Sequence, residues 1–306
     1  MASEAGTAQT MNPGSKADVC AVVVTYHPDP GFPDRLDRVR PQVGRVVVVD
    51  NGSSPQAREM LRNAAGPDVG LILNDANLGV ATALNQGVRH VMGSSCRWVL
   101  TLDQDSTVEP FLVEALLEAY NDFPMKEDLA VVGSNYYDEK RAKTLVPESP
   151  AQPSCLEQTT VITSGSMISV DAYARVGPFR DDFFIDHVDD EYCLRARAMG
   201  YKVILCRRPV IRHSIGGAVG KRILGRMVWS SNHSAARRYY MARNFLWVAR
   251  EYLFSRPGWV TLRALRHAGF LLLMVLLEKE RLGKIKSTAR GVRDGIRRMP
   301  RGDVAG

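Results

Sequence analysis

Two short runs constrain the fold more than anything else in the chain: VCAVVVT at residues 19–25 and RVVVVD at residues 45–50. Both are β-branched and apolar without alternation, so neither offers a solvent face. Strands of this kind belong inside a parallel sheet that is covered on both sides. The segments around them agree. Residues 34–43 have room for a short helix, and residues 55–65 read as a second one, capped by Ser53 or Ser54. Residues 70–73 read as a third strand, 79–92 as a helix, WVLTL at 98–102 as a fourth strand and 111–120 as a further helix. Strand and helix alternating over some 120 residues predict an α/β fold with a mostly parallel sheet.

Ligands of such sheets bind at the carboxyl ends of the strands, so the residues that follow each strand carry the functional reading. The first strand runs into Thr25-Tyr26-His27-Pro28, and the second into Asp50-Asn51-Gly52-Ser53-Ser54. A carboxylate there can accept hydrogen bonds from a base or ribose while Gly52 admits a close backbone approach; Asp-Asn-Gly is equally a good turn sequence. The fourth strand runs into Asp103-Gln104-Asp105. In extended chain those two carboxylates share one side, where their repulsion is relieved by a cation. A divalent ion held by carboxylates and substrate phosphates fits that need.

A second acidic group, Asp186-His187-Val188-Asp189-Asp190-Glu191, opens a helical stretch and is flanked by Phe183, Phe184 and Ile185. Acidic residues at a helix start complement the helix dipole, and a partly desolvated carboxylate also makes a general base near neutral pH. Ahead of it, Thr163-Ser164-Gly165-Ser166 is a small hydroxyl-rich turn suited to a substrate pocket. His213 follows a strand-like stretch and is a candidate third ligand for a metal at Asp105.

In this order, VVVTYHP, VVVVDNGSS, NLGVATALNQG, LTLDQDS, TSGS, DHVDDEYCLRARAMGY, Arg212-His213 and RRYYMARN resemble the family 2 inverting glycosyltransferases of GT-A fold, over residues 19 to about 244. Within that family the motifs are most similar to bacterial rhamnosyltransferases of the O-antigen and rhamnolipid type. The resemblance implies a dTDP-β-L-rhamnose donor, a saccharide or lipid-linked acceptor, inversion at the sugar and a divalent metal, manganese or magnesium. It assigns Thr25, Asp50, Asn77, Asp103, Gln104 and Arg243 to the nucleotide sugar, Asp105 and His213 to the metal, and Asp189 to the general base. Ser164, Gly165, Asp190 and Glu191 fall to the substrate pocket, with Asp190 a competitor for the base. Transferases using other nucleotide sugars, a nucleotidyltransferase and an inactive scaffold are the alternatives. A nucleotidyltransferase would carry a Gly-rich, Lys-containing loop where this chain has Thr25-Tyr26-His27-Pro28.

Charge divides the chain. From Lys221 onward there are 19 Lys and Arg against 5 Asp and Glu, whereas the first 220 residues carry 21 against 28. We therefore expect a disordered tail over residues 1–18, a catalytic domain over 19–245 and a basic helical extension over 246–306. The extension suits an anionic membrane surface or a second copy of the chain. Nucleic acid is excluded as a partner, because the basic residues lie outside the αβ region and no aromatic-rich sheet motif is present. The longest uncharged apolar run, residues 268–277, is about half of what a bilayer span requires. Five widely spaced cysteines without a CxxC pair predict buried thiols in a reducing, cytoplasmic compartment, with the protein peripheral at the inner face of the membrane.

Overall fold

The computed structural model describes residues 14–138, 143–147, 152–213, 219–223 and 226–297. Most of the tail expected over residues 1–18 lies outside these. In chain order the elements are β1 (Val19–Thr25), α1 (Phe32–Val39), β2 (Arg45–Asp50), α2 (Pro55–Ala65), β3 (Val69–Leu73), α3 (Val80–Val91) and β4 (Trp98–Asp103). Then come β5 (Thr107–Val108), α4 (Leu112–Asp122), β6 (Leu129–Asp138), β7 (Lys143–Thr144), β8 (Cys155–Glu157), β9 (Ser166–Ser169), α5 (Val170–Val176) and α6 (Val188–Ala198). The chain closes with β10 (Lys202–His213), the hairpin β11 (Val219–Ile223) and β12 (Arg226–Ser230), and the helices α7 (Ala235–Tyr252), α8 (Pro257–Leu277) and α9 (Arg281–Arg297).

One sheet organises the protein, in the order β3-β2-β1-β4-β9-β6-β10-β5. The first four strands are parallel, as the unalternating apolar runs require: β1 is buried along nearly its whole length between two helix layers. β9 enters antiparallel between β4 and β6, giving a mixed sheet of GT-A type. Two apolar cores lie on its faces, one built around Val22, Val47 and Leu84, the other around Val23, Val48 and Leu116.

Several expectations change. β10 runs unbroken through Arg207, Arg208 and Pro209, where register shifts against β6 absorb the polar residues. The domain boundary expected after residue 245 falls inside α7. The ten-residue apolar run is the end of the 21-residue helix α8, whose most apolar 18-residue window has a mean hydropathy of 1.7. By length and composition alone that helix could cross a bilayer. Of the five cysteines expected as thiols, Cys155, Cys193 and Cys206 are free and buried, but Cys20 and Cys96 are joined as a disulfide, Cα–Cα 6.0 Å. Pairing of β1 with β4 brings them together across 76 residues, a proximity that sequence spacing does not reveal.

Candidate active site

The register of the parallel strands builds the first half of the site. Thr25 lies opposite Asp50, and Val24 opposite Asp103, so three strand ends meet at one edge. Asp50 is fully buried. It accepts hydrogen bonds from Thr25 Oγ1 (3.1 Å), the Ser53 amide (3.0 Å) and the Ser53 hydroxyl, with Arg58 Nε at 3.6 Å. Its oxygens are thus occupied within the protein, and Asp50 shapes the Asn51–Ser53 turn rather than standing open to a base. Gly52 has φ +87°, and a β-carbon there would strike the backbone of Ala76 and Asn77. The close approach expected at Gly52 is therefore made by the neighbouring loop. Asn77 is half-buried, and its side-chain oxygen accepts from Asn51 Nδ2 (3.0 Å) and from the Gly79 amide (3.0 Å).

Gln104 reads the backbone of Tyr26 in both directions, accepting from its amide at 2.6 Å and donating to its carbonyl at 3.1 Å. This clamp leaves the Tyr26 ring half-exposed beside the Asp103 edge. Asp103 ends β4, and Gln104-Asp105 form a turn, so the two carboxylates are not held by extended chain as the sequence suggested. Both are exposed. Ser164 lies beneath them, accepting the Asp103 amide at 3.0 Å and meeting Ser106 Oγ at 2.8 Å. Gly165, at φ +77°, has no room for a β-carbon against Ser134 and Ile211. The TSGS turn thus supports the strand end from within.

The second half comes from α6, α7 and α8. Phe184, Asp186 and His187 all have positive φ, a concentration of strained backbone directly ahead of Asp189. Asn244, fully buried on α7, holds this segment by donating its amide to the carbonyls of Phe183 (2.7 Å), Ile185 (2.8 Å) and Asp186 (2.9 Å). Arg243 donates to the Asp182 carbonyl (2.5 Å) and stacks over Trp247 at 4.2 Å. Arg243, expected at the diphosphate, here fastens α7 to the loop. Arg237, six residues earlier on α7, faces the other way, toward Asp186. It binds both oxygens of Asp186 (2.9–3.2 Å). Burial acts to lower its pKa, but the carboxylates of Asp186, then Asp103 and Asp105, prevail and raise it. Arg237 therefore joins the loop before Asp189 to the Asp103–Asp105 edge. Beside it, burial and then the charge of Arg237 push His233 down to about 4.

Asp189 and Asp190 open α6 and behave oppositely. Asp189 is half-buried, and among the described residues its carboxylate makes one hydrogen bond, from the Asp190 amide at 2.9 Å. Desolvation, reinforced by the charge of Asp190, pushes it up to about 7. Burial would raise Asp190 too, but the hydrogen bond from His187 and the charge of Arg263 lower it to about 2. Glu191 is fully buried and paired with Arg195 through both oxygens (2.8 and 2.9 Å). Expected in the substrate pocket, Glu191 here serves as an internal strut.

Arg263 and His267 were not anticipated as site residues. The available signal was a basic residue and a histidine four apart in an otherwise apolar helix, which puts both on one face. The backbone of His213 ends β10 beside Asp138; its side chain lies outside the described residues. Among the described residues no group of three His, Cys, Asp or Glu side chains is arranged to hold a metal. Asp103 and Asp105 supply two exposed carboxylates, a set that fits a divalent ion whose remaining ligands are phosphate oxygens and water.

The model of the family described as "Glycosyl transferase family 2" matches residues 20–167. The chain carries a family 2 glycosyltransferase domain. It is 28% identical over 302 residues to the dTDP-rhamnosyl transferase RfbF of Shigella flexneri, covering 92% of this chain and 96% of that one. It is also 25% identical over 260 residues to the galactofuranosyltransferase GlfT1 of Mycolicibacterium smegmatis (strain ATCC 700084 / mc(2)155), covering 78% and 84%. Among solved structures it resembles GalNAc-T7, described with UDP, GalNAc and Mn2+, with a TM-score of 0.58 and 11% identity. That likeness covers 92% of this chain and 56% of the other, so the chain spans about half the length of that protein, and it speaks to the fold alone. The chain is a glycosyltransferase of GT-A fold.

Proposed function

We propose that this glycosyltransferase moves L-rhamnose from dTDP-β-L-rhamnose to a hydroxyl of a saccharide or lipid-linked acceptor, with inversion, using Asp189 as general base. The observation that carries this reading is the difference between Asp189 and Asp190. One carboxylate is half-buried and raised to near neutrality; its neighbour is held ionised by two partners. The acceptor hydroxyl loses its proton to Asp189 as it attacks the anomeric carbon, and the diphosphate leaves on the opposite side. A divalent ion, manganese or magnesium, held by Asp105 with Asp103 would neutralise charge on the leaving diphosphate. Arg237, whose charge also acts on Asp103 and Asp105, would add positive charge on the same side.

Rhamnose rests on the similarity to RfbF along nearly the whole of both chains. The similarity to a galactofuranosyltransferase keeps another nucleotide sugar as the second reading. Nucleotide release from dTDP-L-rhamnose, compared with UDP-glucose, UDP-galactose and UDP-N-acetylglucosamine, decides between them. Faster release from any of the UDP sugars would sink the rhamnose assignment.

The acceptor side of this reading is a membrane surface. α8 and α9 expose apolar residues along one stripe each, Leu262, Leu265, Leu272 and Leu276, then Leu282, Ile285, Val292 and Ile296. Exposed basic residues such as Arg266, Lys286, Arg293 and Arg297 accompany them. Such a surface attracts anionic lipid and repels a second copy of itself. Sedimentation with anionic but not zwitterionic liposomes, lost in Leu265→Asp/Leu272→Asp, is the expected result; a dimer in solution without lipid binding would favour the opposite occupant.

A further inference from the structure

Two adjacent carboxylates at one site ordinarily compete for a single proton, and neither is then a defined base. Here a helix from outside the matched family region breaks the symmetry. Arg263 on α8 donates from Nη2 to Asp190 Oδ1 at 2.6 Å, across 73 residues of chain. The guanidinium is fixed by Thr160 Oγ1 at 3.1 Å and by the Trp259 ring, 5.1 Å from its centre. His187 Nδ1 lies 2.9 Å from Asp190 Oδ2. One turn beyond Arg263, His267 places Nε2 at 3.1 Å from His187 Nε2, with the two rings stacked and Phe245 against His267.

We propose that Arg263, supported by His267, is a positioning residue of the transfer reaction: it binds Asp190 as a fixed anion and so leaves Asp189 as the carboxylate that receives the acceptor proton. This rests on the reading of Asp189 as base. The proton positions follow from the donors available. Asp190 as an anion only accepts, so His187 carries its proton on Nδ1. Nε2 of His187 and Nε2 of His267 share the hydrogen bond between the two rings. Burial and the nearby positive groups keep His267 neutral in the working range, down to about 4. The chain His267–His187–Asp190 is thereby continuous, and both Asp190 oxygens are occupied. Among the described residues Asp189 receives only a backbone amide, which keeps an oxygen for the acceptor.

Electrostatics gives the test its sign. The titratable or charged groups around Asp189 are Asp190, His187 and Cys193 on its own helix and approach, Arg263 and His267 from α8, and Arg237 of α7 through Asp186. Arg263 favours the ionised form of Asp189, so its loss raises that carboxyl further. A base must be ionised to act, and the acid limb of kcat/KM therefore moves to higher pH.

The experiment is the pH profile of kcat/KM for the full-length enzyme and its Arg263→Met and Arg263→Lys variants. Arg263→Met is expected to shift the acid limb upward by about one pH unit, the order of effect of one nearby charge, with much of the rate regained at alkaline pH. Arg263→Lys returns the limb toward its original position. A profile lowered equally at every pH, with the limb unmoved, would show that Arg263 merely packs and would overturn the proposal. If Arg263→Met does not fold, His267→Ala should give a smaller shift in the same direction, and an unmoved limb there overturns the proposal equally. Asp189→Asn separates the two readings. Wild-type turnover in that variant removes the base itself, whereas an inactive Asp189→Asn with an unmoved limb in Arg263→Met removes only the role given to Arg263.

Discussion

Arg238 and Glu278 form a 2.6 Å ion pair that is buried on both sides, joining α7 to the end of α8. Lys284 of α9 adds a second cation to the same carboxylate at 2.7 Å, and Ser230 and the Asn232 amide complete its partners. Three helices and the β11–β12 hairpin therefore converge on one carboxylate.

Removing that carboxylate leaves two buried cations without a counter-charge among the described residues. Glu278→Ala is expected to destabilise the fold by about 3–5 kcal/mol, the usual cost of breaking a buried pair, measured by chemical denaturation. The partners hold Glu278 below its ordinary value despite burial. Its contribution is thus complete above the unfolded pKa and lost as pH falls through the lower folded one. A denaturation midpoint unchanged by the substitution would contradict this account.

Asp189 is shifted in the other direction, and its titration bears on rate instead of stability. Its carboxyl is raised to about 7, so the base is protonated and idle on the acid side of that value. Transfer should fall tenfold for each unit below it while donor binding holds. Asp189→Asn should lower turnover by about 10²–10⁴-fold, the range of general-base assistance, and remove that acid limb. Single-turnover kinetics beside donor titrations would check both.

Asp105 should act on the donor instead of the proton. Asp105→Ala is expected to weaken donor binding in the presence of manganese or magnesium and to leave metal-free binding almost unchanged. Calorimetry of dTDP-L-rhamnose binding with and without a chelator reads this directly. Equal affinity in the wild type under both conditions would argue against a metal at this position.

Asn244 tests whether the strained approach to Asp189 needs external support. Asn244→Ala withdraws the donor that serves three carbonyls, at a cost of about 1–3 kcal/mol for buried groups left unsatisfied. We expect a lower melting temperature together with a fall in turnover larger than any change in donor affinity. Turnover preserved at full melting temperature would mean that the loop keeps its shape unaided.

Much of this fold is written in local pattern. The runs at β1 and β2 are legible because burial on both faces leaves no polar position, and α2 spans 55–65 as its Ser54 cap and Pro55 indicate. Parallel pairing then makes Thr25, Asp50 and Asp103 neighbours, so that half of the site follows from the order of strands. What could not be read is which carboxylate is free. Asp50 and Glu191 look available in sequence, yet each is consumed by partners that only the packed structure supplies. Arg237 and Arg243 are equivalent in composition and six residues apart, but face different neighbours on α7. Arg263 was visible only as an interruption of an apolar run.

That interruption changes how the end of the chain should be handled. α8 turns Arg263 and His267 inward and its leucines outward, so it is both wall and rim of the site. A shortened protein lacking residues 259–306 would lose the counter-charge of Asp190 along with any anchoring surface. The loss of activity expected from this would be a defect of chemistry even in a fully soluble assay, and on the proposed role of Arg263 the catalytic unit takes in α8.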